Sequence, residues 1–442
     1  MNKFAPRVLR LKRRACCGLL ALTFILLAAS ARVVAQDDAE RRDDAITGQV
    51  MDGGGQPIDR AMVYARRLGS MSGATARSAM TDASGQFKIS KLPPGVYSLW
   101  CSSPGYVNNF SNQAGRPGKP NYYHPGDAAT LTLIKGGVIS GRATDADGDP
   151  IVNASVRLLR VRDVEGRPAN NTGGYNAWMF ATDDRGMYRI YGVEPGVYVV
   201  SVGGSGQEIY GRNSLYDEDA PTFHPSATRD AATEVLVREG QEANGIDIRH
   251  RGERGRAVRG VITGAISGGS DWEAVTVTLK NAANGTDETF TYVNTAPGER
   301  SLRFELVGVP DGEYEIIAAR GGWRAPDVVS SPPIKVSIKG ADVTGLTLNL
   351  VPLASIGGRV IFEPLPSRPT KTDATPEAER GAQPDCRPGR MPSPVEVALT
   401  ARRNDAGASS LRNSQSRVNS DEAPNERADF VLRNLDAGRY RL

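Results

Sequence analysis

Three histidines are the residues of this chain whose type is most often used to bind zinc. His124 and His224 each precede a proline and lie one hundred residues apart, and His250 is the third. A zinc peptidase needs a close His/Glu/His ligand set and a general base, and no His-x-x-Glu sequence lies near the two His-Pro pairs. We therefore expect ordinary turn histidines, and we predict neither a metal site nor a cofactor.

A run of alternating aspartates is the second candidate for metal binding. Asp145, Asp147 and Asp149 have the spacing of the first ligands of a calcium loop. The twelfth position of such a loop is Val156 rather than Glu, and Pro150 follows the run directly. A turn between two strands is the favoured interpretation.

Aromatic side chains could stack on sugar rings if they share an exposed face. The residues with which we speculatively associate carbohydrate binding are Trp100, Tyr122, Tyr123 and Trp178. Trp100 alternates away from Tyr97 and Leu99, which favours an outward direction. The alternative is that each ring covers a sheet face or a domain junction, and for any single residue this alternative is favoured.

Nucleophilic catalysis has no candidate in this sequence. There is no Gly-x-Ser-x-Gly motif, and no Cys–His pair can be proposed. The run Gly53-Gly54-Gly55 is followed by no helix signal, so it predicts a hairpin turn rather than a phosphate-binding loop. We therefore predict no catalytic residue and no enzymatic activity.

One string of residues recurs four times with fixed internal spacing. Each copy has an aromatic residue, a Gly eight residues later and a Tyr ten residues later. The aromatic–Tyr pairs are Phe87 and Tyr97, Tyr188 and Tyr198, Phe304 and Tyr314, and Phe430 and Tyr440. The distance between copies varies, so the string is a rigid element connected by loops that tolerate changes in length.

The spacing predicts a β-hairpin-like corner at the core of a small sandwich. Phe87 and Ile89 alternate with polar residues, as on a strand with one buried face. Pro93-Pro94-Gly95 predicts a turn, in which Gly tolerates a positive φ. We expect the Tyr hydroxyl to bond a nearby backbone group, as in the tyrosine corner of β-sandwiches.

Further motifs accompany the string. Each copy follows a strand with a Gly near a Val, namely 48–50, 138–141, 260–261 and 358–360. The first two repeats share the sequence Thr-Asp-x-x-Gly, at 81–85 and 182–186, and the third and fourth repeats lack it. The first two repeats also end in matching sequences, YYHPG (122–126) and TFHPS (222–226). Together these motifs resemble the carboxypeptidase regulatory-like domain, most fully over residues 45–135.

The resemblance implies an all-β protein made of tandem transthyretin-like (prealbumin-like, Greek-key) β-sandwiches. Such domains are grouped with carbohydrate-binding-like folds and often form arrays on exported bacterial proteins. The expected segments are a signal peptide (1–35), a linker (36–44), repeats one (45–135) and two (136–250), a linker (251–255), repeat three (256–352), and an incomplete repeat four (354–442) with a disordered, proline-rich insertion (363–394).

The N-terminus predicts export. Six Lys and Arg residues in 1–14 precede an apolar run from Ala15 to Ala29 and a small-residue site at 33–35. A membrane anchor is the alternative, but the run is short for a span, so no stable span is expected after cleavage. Residues 1–35 contain seven Lys and Arg residues, so the rest of the chain has 47 Lys and Arg and 50 Asp and Glu, a net charge of about −3. This charge gives no reason to expect binding to nucleic acid.

Two cysteines follow the leader, Cys101 and Cys386, and they lie in different repeats, so no structural disulfide is expected. A Lys–Asn isopeptide cross-link is conceivable, but no residue set can be assigned. The last copy stops at Leu442, two residues after its Tyr, and we interpret it as a sandwich whose last strands are missing.

The sequence thus predicts an exported, non-catalytic binding or structural module located in the periplasm, on the cell surface or outside the cell. The partners considered are polysaccharide, as the first ligand class to test, and a cell-surface protein. The alternative is an N-terminal accessory or spacer region of a larger secreted hydrolase or outer-membrane (TonB-dependent type) transporter.

Overall fold

The structure, a computed structural model, describes most of the chain after its N-terminal segment. The described residues are 44–69, 76–108, 122–168, 180–204, 214–265, 274–294, 301–321, 328–362, 393–403, 421–435 and 438–442. The predicted signal peptide, nearly all of the proline-rich insertion, Trp178 and Cys386 lie outside them. No helix within these ranges is long and apolar enough to cross a membrane.

The first repeat forms two four-stranded sheets that face each other. Its strands are β1 (Ile46–Met51), β2 (Met62–Arg67), β3 (Arg77–Met80), β4 (Gln86–Ile89), β5 (Tyr97–Ser102), β6 (Tyr106–Asn108), β7 (Tyr122–Tyr123) and β8 (Ala128–Lys135). The sheets are ordered β4-β1-β8-β6 and β3-β2-β5-β7. In β4, Phe87 and Ile89 are buried while Gln86 and Lys88 are exposed, as the alternation predicts. The chain therefore folds here as a β-sandwich.

The second repeat also forms two sheets, and it differs from the first in the strands that follow the corner tyrosine. Its strands are β9 (Gly137–Thr144), β10 (Ser155–Arg162), β11 (Phe180–Ala181), β12 (Met187–Val193), β13 (Gly196–Val202), β14 (Thr222–Phe223), β15 (Val235–Val237), β16 (Glu242–Ala243) and β17 (Ile248–Arg249). One sheet is β12-β9-β16 with β17 also on β9, and the other is β11-β10-β13-β14 with β15 also on β13. A 3-10 helix, Arg229–Ala231, lies between β14 and β15.

In the third repeat the two layers are joined through a short strand. Its strands are β18 (Arg256–Gly264), β19 (Ala274–Asn281), β20 (Asp287–Asn294), β21 (Leu302–Val309), β22 (Gly312–Arg320), β23 (Val329–Ser330), β24 (Ile334–Ile338) and β25 (Val343–Pro352). They form one continuous path, β20-β19-β22-β23-β25-β18-β21, with β24 on β22.

The fourth repeat has short described strands. They are β26 (Ala354–Arg359), β27 (Leu399–Thr400), β28 (Arg402–Arg403), β29 (Asp421–Glu422), β30 (Asp429–Leu435) and β31 (Tyr440–Arg441), with a 3-10 helix at Pro394–Glu396. The pairs are β26 with β30, β27 with β29, and β28 with β31.

The recurring string crosses from one sheet to the other, so the hairpin-like arrangement predicted for it is wrong. The aromatic strand β4 pairs with β1, whereas the Tyr strand β5 pairs with β2 and β7. Phe87 and Tyr97 therefore reach the core from opposite layers, because each strand turns its apolar side inward. The turn between them is a corner of the sandwich.

The tyrosine of each of the first three corners is tied to the turn before it. Its hydroxyl donates to the backbone carbonyl oxygen four residues earlier. The distances are 2.8 Å from Tyr97 to Pro93, 2.5 Å from Tyr198 to Glu194 and 2.9 Å from Tyr314 to Pro310. The expected bond to a nearby backbone group is confirmed in these copies, and the rings themselves are buried.

The glycine of the corner serves close packing more than a positive φ. Gly95 has the positive φ expected of it, 156°, whereas Gly196 and Gly312 are not among the residues with positive φ. A Cβ at Gly196 would lie 2.6 Å from Arg160 Nε and 2.8 Å from the carbonyl oxygen of Arg162. The neighbouring strand β10, which carries both arginines, therefore leaves no room for a side chain at Gly196.

A second glycine lies at the centre of each sandwich, in the first strand of the repeat. Gly48, Gly141 and Gly260 pair with the aromatic residues Phe87, Tyr188 and Phe304, respectively. A Cβ at Gly260 would lie 2.4 Å from the Leu346 carbonyl oxygen and 2.7 Å from the Phe304 ring. The aromatic ring and the neighbouring strand both occupy the space that a side chain would need.

The polar turns are built by one aspartate or asparagine each. Asp82 Oδ1 accepts bonds from the amides of Ser84 and Gln86, at 2.9 Å each. The fourth copy, which lacks the Thr-Asp-x-x-Gly sequence, forms the same turn with Asn425 Oδ1, which accepts from the amides of Arg427 and Asp429. Ala428 takes the place of the glycine there, with φ of 66°.

The second and third repeats meet through buried charges. Arg157, 2% exposed, donates to the backbone oxygen of Asp287 at 3.1 Å. Arg229 Nη1 lies 2.7 Å from Glu288 Oε2, and Glu288 is 3% exposed. Burial lowers the pKa of Arg157 to about 10, which leaves it charged at neutral pH. Removing either side chain of the Arg229–Glu288 pair would leave the other charge buried without compensation, so the interface requires both residues.

Tyr314→Phe removes the hydroxyl bond of the third corner and keeps the ring. We expect the opening free energy of β22 to fall by about 1 kcal/mol, the net value of one hydrogen bond. Hydrogen–deuterium exchange of peptides covering 312–320 measures it. Tyr292→Phe, at a side chain that is 60% exposed, is the matched control, and equal effects of the two variants would contradict the assignment.

Gly260→Ala places a methyl group against the Leu346 carbonyl and the Phe304 ring. Overpacking of this kind costs about 1–3 kcal/mol, so exchange in β21 and β25 should accelerate accordingly. Gly357→Ala, whose Cβ meets nothing nearer than 3.7 Å, should leave exchange in the protein unchanged. A silent Gly260→Ala variant would show that the close approach is not required.

Candidate functional site

Two aromatic side chains stack on the outer face of the first sandwich. Tyr64 of β2 and Trp100 of β5 are directly opposite each other in the strand register. Their ring centroids are 5.2 Å apart and their planes differ by 11°. Both side chains are partly exposed, and they turn away from the core because Val63, Leu99 and Cys101 on the same strands are buried.

A third ring belongs to the same face. Tyr122 of β7 pairs with Ser98, which lies two residues before Trp100 on β5. Residues two apart on a strand share a face, and a diagonal neighbour lies about 7–8 Å away between Cα atoms. We call Tyr64, Trp100 and Tyr122 the aromatic face.

Tyr123 lies on the opposite side of the sheet from the aromatic face. It pairs with the buried Tyr97 and packs against the core of the first sandwich. Burial and the nearby Asp127 carboxylate raise the pKa of its hydroxyl. The structure thus places Trp100 and Tyr122 together and separates Tyr123 from them, while Trp178 lies outside the described residues.

Sequence reasoning did not identify Tyr64. The signal was available in Val63-Tyr64-Ala65, because the alternation around two apolar residues turns the tyrosine outward. What the sequence does not give is the register that sets Tyr64 beside Trp100, since the two residues are far apart in the chain and their strands pair only in the folded sheet.

Polar and apolar groups share the aromatic face. Arg66, Ser78 and Ser102 are exposed on it, and Ser98 is partly exposed. Met80 is 58% exposed at its edge. Flat rings bordered by hydroxyl and guanidinium donors can stack on an apolar ring face and hydrogen-bond to groups at its rim.

Three of the four equivalent positions in the next two sandwiches are buried, and the fourth, Ile317, is partly exposed. In the register, Arg157 and Ser201 take the places of Tyr64 and Trp100 in the second sandwich, and Thr278 and Ile317 take them in the third. Arg157, Ser201 and Thr278 are all 2% exposed or less. In the second sandwich, Phe223 packs on Leu159 and Val199 of this face.

The three histidines do not come together. His124 Nε2 is 2.9 Å from the Glu396 backbone oxygen, and His224 Nδ1 is 2.5 Å from that of Asp247. His250 is buried, with Thr222 Oγ1 at 3.1 Å and Asp219 Oδ2 at 3.0 Å. Across the described ranges, no three His, Cys, Asp or Glu residues are grouped as metal ligands would be.

His250 and Glu253 have a His-x-x-Glu spacing that the sequence reasoning did not consider. Glu253 binds Arg251 instead, and its backbone oxygen accepts from Ala220 at 2.7 Å. The imidazole and the Glu253 carboxylate therefore have separate partners, and the spacing gives no shared site.

The aspartate run is a turn. Asp145 Oδ1 accepts from the amides of Asp147 and Asp149 at 2.9 Å each. Gly148 has φ of 91°, and Thr144 bridges to Pro150 across the turn. The geometry is the same as that around Asp82 and Asp183, so the structure favours the turn interpretation at this position.

The first sandwich can now be compared with known families. Residues 45–122 match the carboxypeptidase regulatory-like domain. This match confirms the resemblance for the first repeat, and the matched range contains the whole aromatic face. No curated protein matches the chain.

Solved structures with partial similarity include two pilins and the Bacillus anthracis TIE protein. GBS52, the minor pilin of Streptococcus agalactiae, is 16% identical at a TM-score of 0.25, with 47% of this chain and 95% of that chain covered. The Bacillus anthracis TIE protein is 14% identical at a TM-score of 0.17, with 70% of this chain covered, and this chain spans 51% of its length. The Bacillus cereus major pilin BcpA is 11% identical at a TM-score of 0.16, with 70% and 99% covered. At these TM-scores the similarities carry no argument about function.

The thiol in the regulatory-like sandwich should be inert. Cys101 is buried, and burial raises the pKa of its thiol to about 12. Because the thiolate is the reactive form, iodoacetamide at pH 8 should label Cys101 at least a hundredfold more slowly in the native protein than in denaturant. Peptide mass spectrometry reads the site directly, and rapid labelling of the native protein would contradict the burial.

Proposed function

We propose that this protein is an exported, non-catalytic array of β-sandwiches that binds polysaccharide through the aromatic face of its first sandwich. The observation that carries the proposal is the stacked pair of Tyr64 and Trp100, with Tyr122 on the same side of the sheet. The family match over residues 45–122 supports a binding or structural module as the broader class.

The pair has a physical advantage for binding a flat ligand. Aromatic rings bury a large area at a small loss of conformational entropy, and they contribute strongly at binding surfaces. Tyr64 and Trp100 already contact each other, so little further ordering is needed on binding. The C–H face of a pyranose ring matches such a surface, and Arg66 and Ser98 can hydrogen-bond its hydroxyl groups.

The position of the pair also favours binding over packing. The equivalent face of the second sandwich is covered by Phe223 and its neighbours, whereas Arg66 and Met80 on the first are exposed. An exposed set of large side chains on one face is a common mark of an interaction site.

A second function, a spacer for a larger exported protein, is favoured by a different observation. The charged interface of Arg157, Arg229 and Glu288 holds two consecutive sandwiches together. A chain that binds no polysaccharide and keeps this interface would support the spacer function.

Trp100→Ala should weaken polysaccharide binding at least tenfold, equivalent to about 1.4 kcal/mol. The measurement is isothermal titration of the full chain with soluble polysaccharides that a glycan array has first selected. Tyr292→Ala is the control, because Tyr292 is an exposed aromatic residue of the third sandwich. Failure of every polysaccharide to bind, or equal affinities of the wild type and Trp100→Ala, would refute the proposal.

A further inference from the structure

The charged residues of the sheet that carries the aromatic face are all arginines. Strands β2, β3, β5 and β7 contain Arg66, Arg67 and Arg77 and have no Asp or Glu. Arg66 is exposed and lies on the aromatic face itself, because it pairs with Ser98, which pairs in turn with Tyr122. The guanidinium group of Arg66 is therefore placed beside the aromatic rings, on the same side of the sheet.

These three arginines have no acidic partner in the part of the chain that the structure describes. None of them takes part in an ion pair there. The two segments of the first repeat outside the described residues, 70–75 and 109–121, contain Arg116 and Lys119 and have no Asp or Glu in their sequence. Neither segment can therefore supply a carboxylate that would neutralise the sheet.

The second sandwich has a carboxylate where the first has none. Arg67 and Arg160 occupy the same position in the register, opposite the corner tyrosine of their own sandwich. Arg160 Nη1 lies 3.0 Å from Oε2 of Glu194, which comes four residues before that tyrosine. Pro93 occupies this position in the first sandwich. The first sandwich thus keeps the cation of this pair and lacks the anion.

Two carboxylates approach this end of the sheet from outside it, and both have other surroundings. Asp127 Oδ2 accepts from the His124 amide at 2.7 Å and lies 3.5 Å from the imidazole of the same residue. Glu422 of the fourth repeat reaches Gly69, just beyond β2. Burial raises the pKa of the Glu422 carboxyl, and the positive charge that opposes this rise is that of Arg433. The arginines of the sheet therefore remain available to an anion from outside the protein.

A uronic acid combines the two groups that this surface can bind. The C–H face of its ring stacks on aromatic rings, and its carboxylate lies at the rim of the ring, where Arg66, two residues from Tyr64 on β2, can reach it. A guanidinium group binds a planar carboxylate through two parallel hydrogen bonds. Arg67 at the end of β2 and Arg77 at the start of β3 lie at the same end of the sheet and add positive potential that attracts a polyanion.

We propose that the ligand of the aromatic face is an acidic polysaccharide, and that Arg66 binds the carboxylate of a uronic-acid unit stacked on Tyr64 and Trp100. This inference rests on the proposed function, since it names the ligand class of the same site. The aromatic rings supply contact area for a sugar ring, whereas the unneutralised arginines discriminate between a charged and an uncharged one.

The probes are three acidic polysaccharides, namely polygalacturonate, alginate and hyaluronate, each compared with its own methyl ester by isothermal titration of the full chain. The ester keeps the sugar rings and removes the charge. We expect at least one acid to bind at least tenfold more tightly than its ester, and we expect this preference to decrease as the salt concentration is raised. Dextran sulfate compared with dextran is the arm for sulfate.

Arg66→Gln should reduce the preference for the acid over the ester to less than about threefold, because the guanidinium–carboxylate contact is lost. Trp100→Ala should weaken both forms and keep the preference. Arg303→Gln, at an exposed arginine of the third sandwich, is the matched control and should change neither affinity. Slow alkylation of Cys101, as in the wild type, shows that the Arg66→Gln variant is folded.

The outcomes separate this inference from the proposed function. If every acid binds no more tightly than its ester, if Arg66→Gln keeps the preference, or if charge matters only for dextran sulfate, the inference is overturned while polysaccharide binding stands. If no polysaccharide binds in either form, the proposed function fails and the inference fails with it.

Discussion

The sandwiches depend on one contact, in which a glycine without a side chain lets an aromatic ring and a neighbouring strand approach from either side. The ring belongs to the aromatic strand of the repeat, and the glycine to its first strand. Any Cβ at Gly48 or Gly260 would overlap a backbone oxygen, which cannot move without displacing a whole strand. The corner tyrosine then fixes where the chain crosses to the second layer.

With this inner framework repeated, the outer faces are free to differ. The same pair of positions holds stacked aromatic rings in the first sandwich, an arginine and a serine in the second, and a threonine and an isoleucine in the third. In the second, Arg157 is used to join the next sandwich. The same scaffold thus contacts the next sandwich through this face in the second repeat and presents a partly exposed aromatic surface in the first.

Local spacing predicted what is local in the structure. The aromatic-to-Tyr distance indicated a corner and its hydroxyl bond, because all the atoms involved lie within about a dozen residues. It did not indicate that the two strands belong to different sheets, since alternation specifies an inward side but not a partner. The turn at Asn425 was missed for a related reason: an amide oxygen replaces a carboxylate and alanine replaces glycine, so the sequence motif disappears while the hydrogen bonds remain.

The candidate site was only partly predictable. Trp100 was correctly expected to turn outward, but Tyr122 and Tyr123 are adjacent in sequence and differ only in register, which decides that one faces outward and the other inward. Register also separates the matching motifs YYHPG and TFHPS: Tyr123 is opposite the corner Tyr97, whereas Phe223 is opposite Ser201. A motif that recurs in sequence therefore need not recur in the same place in the sheet.

The parallel pairing of the first and last long strands, β1 with β8 and β18 with β25, has a mechanical consequence. A pull on the two ends of such a sandwich draws these strands in opposite directions along their own axes. Their hydrogen bonds run across the strands, so the force acts on many of them in shear at the same time, instead of opening them one after another as in a zipper. A sandwich of this topology is therefore expected to resist stretching along the chain more strongly than one whose end strands separate one hydrogen bond at a time.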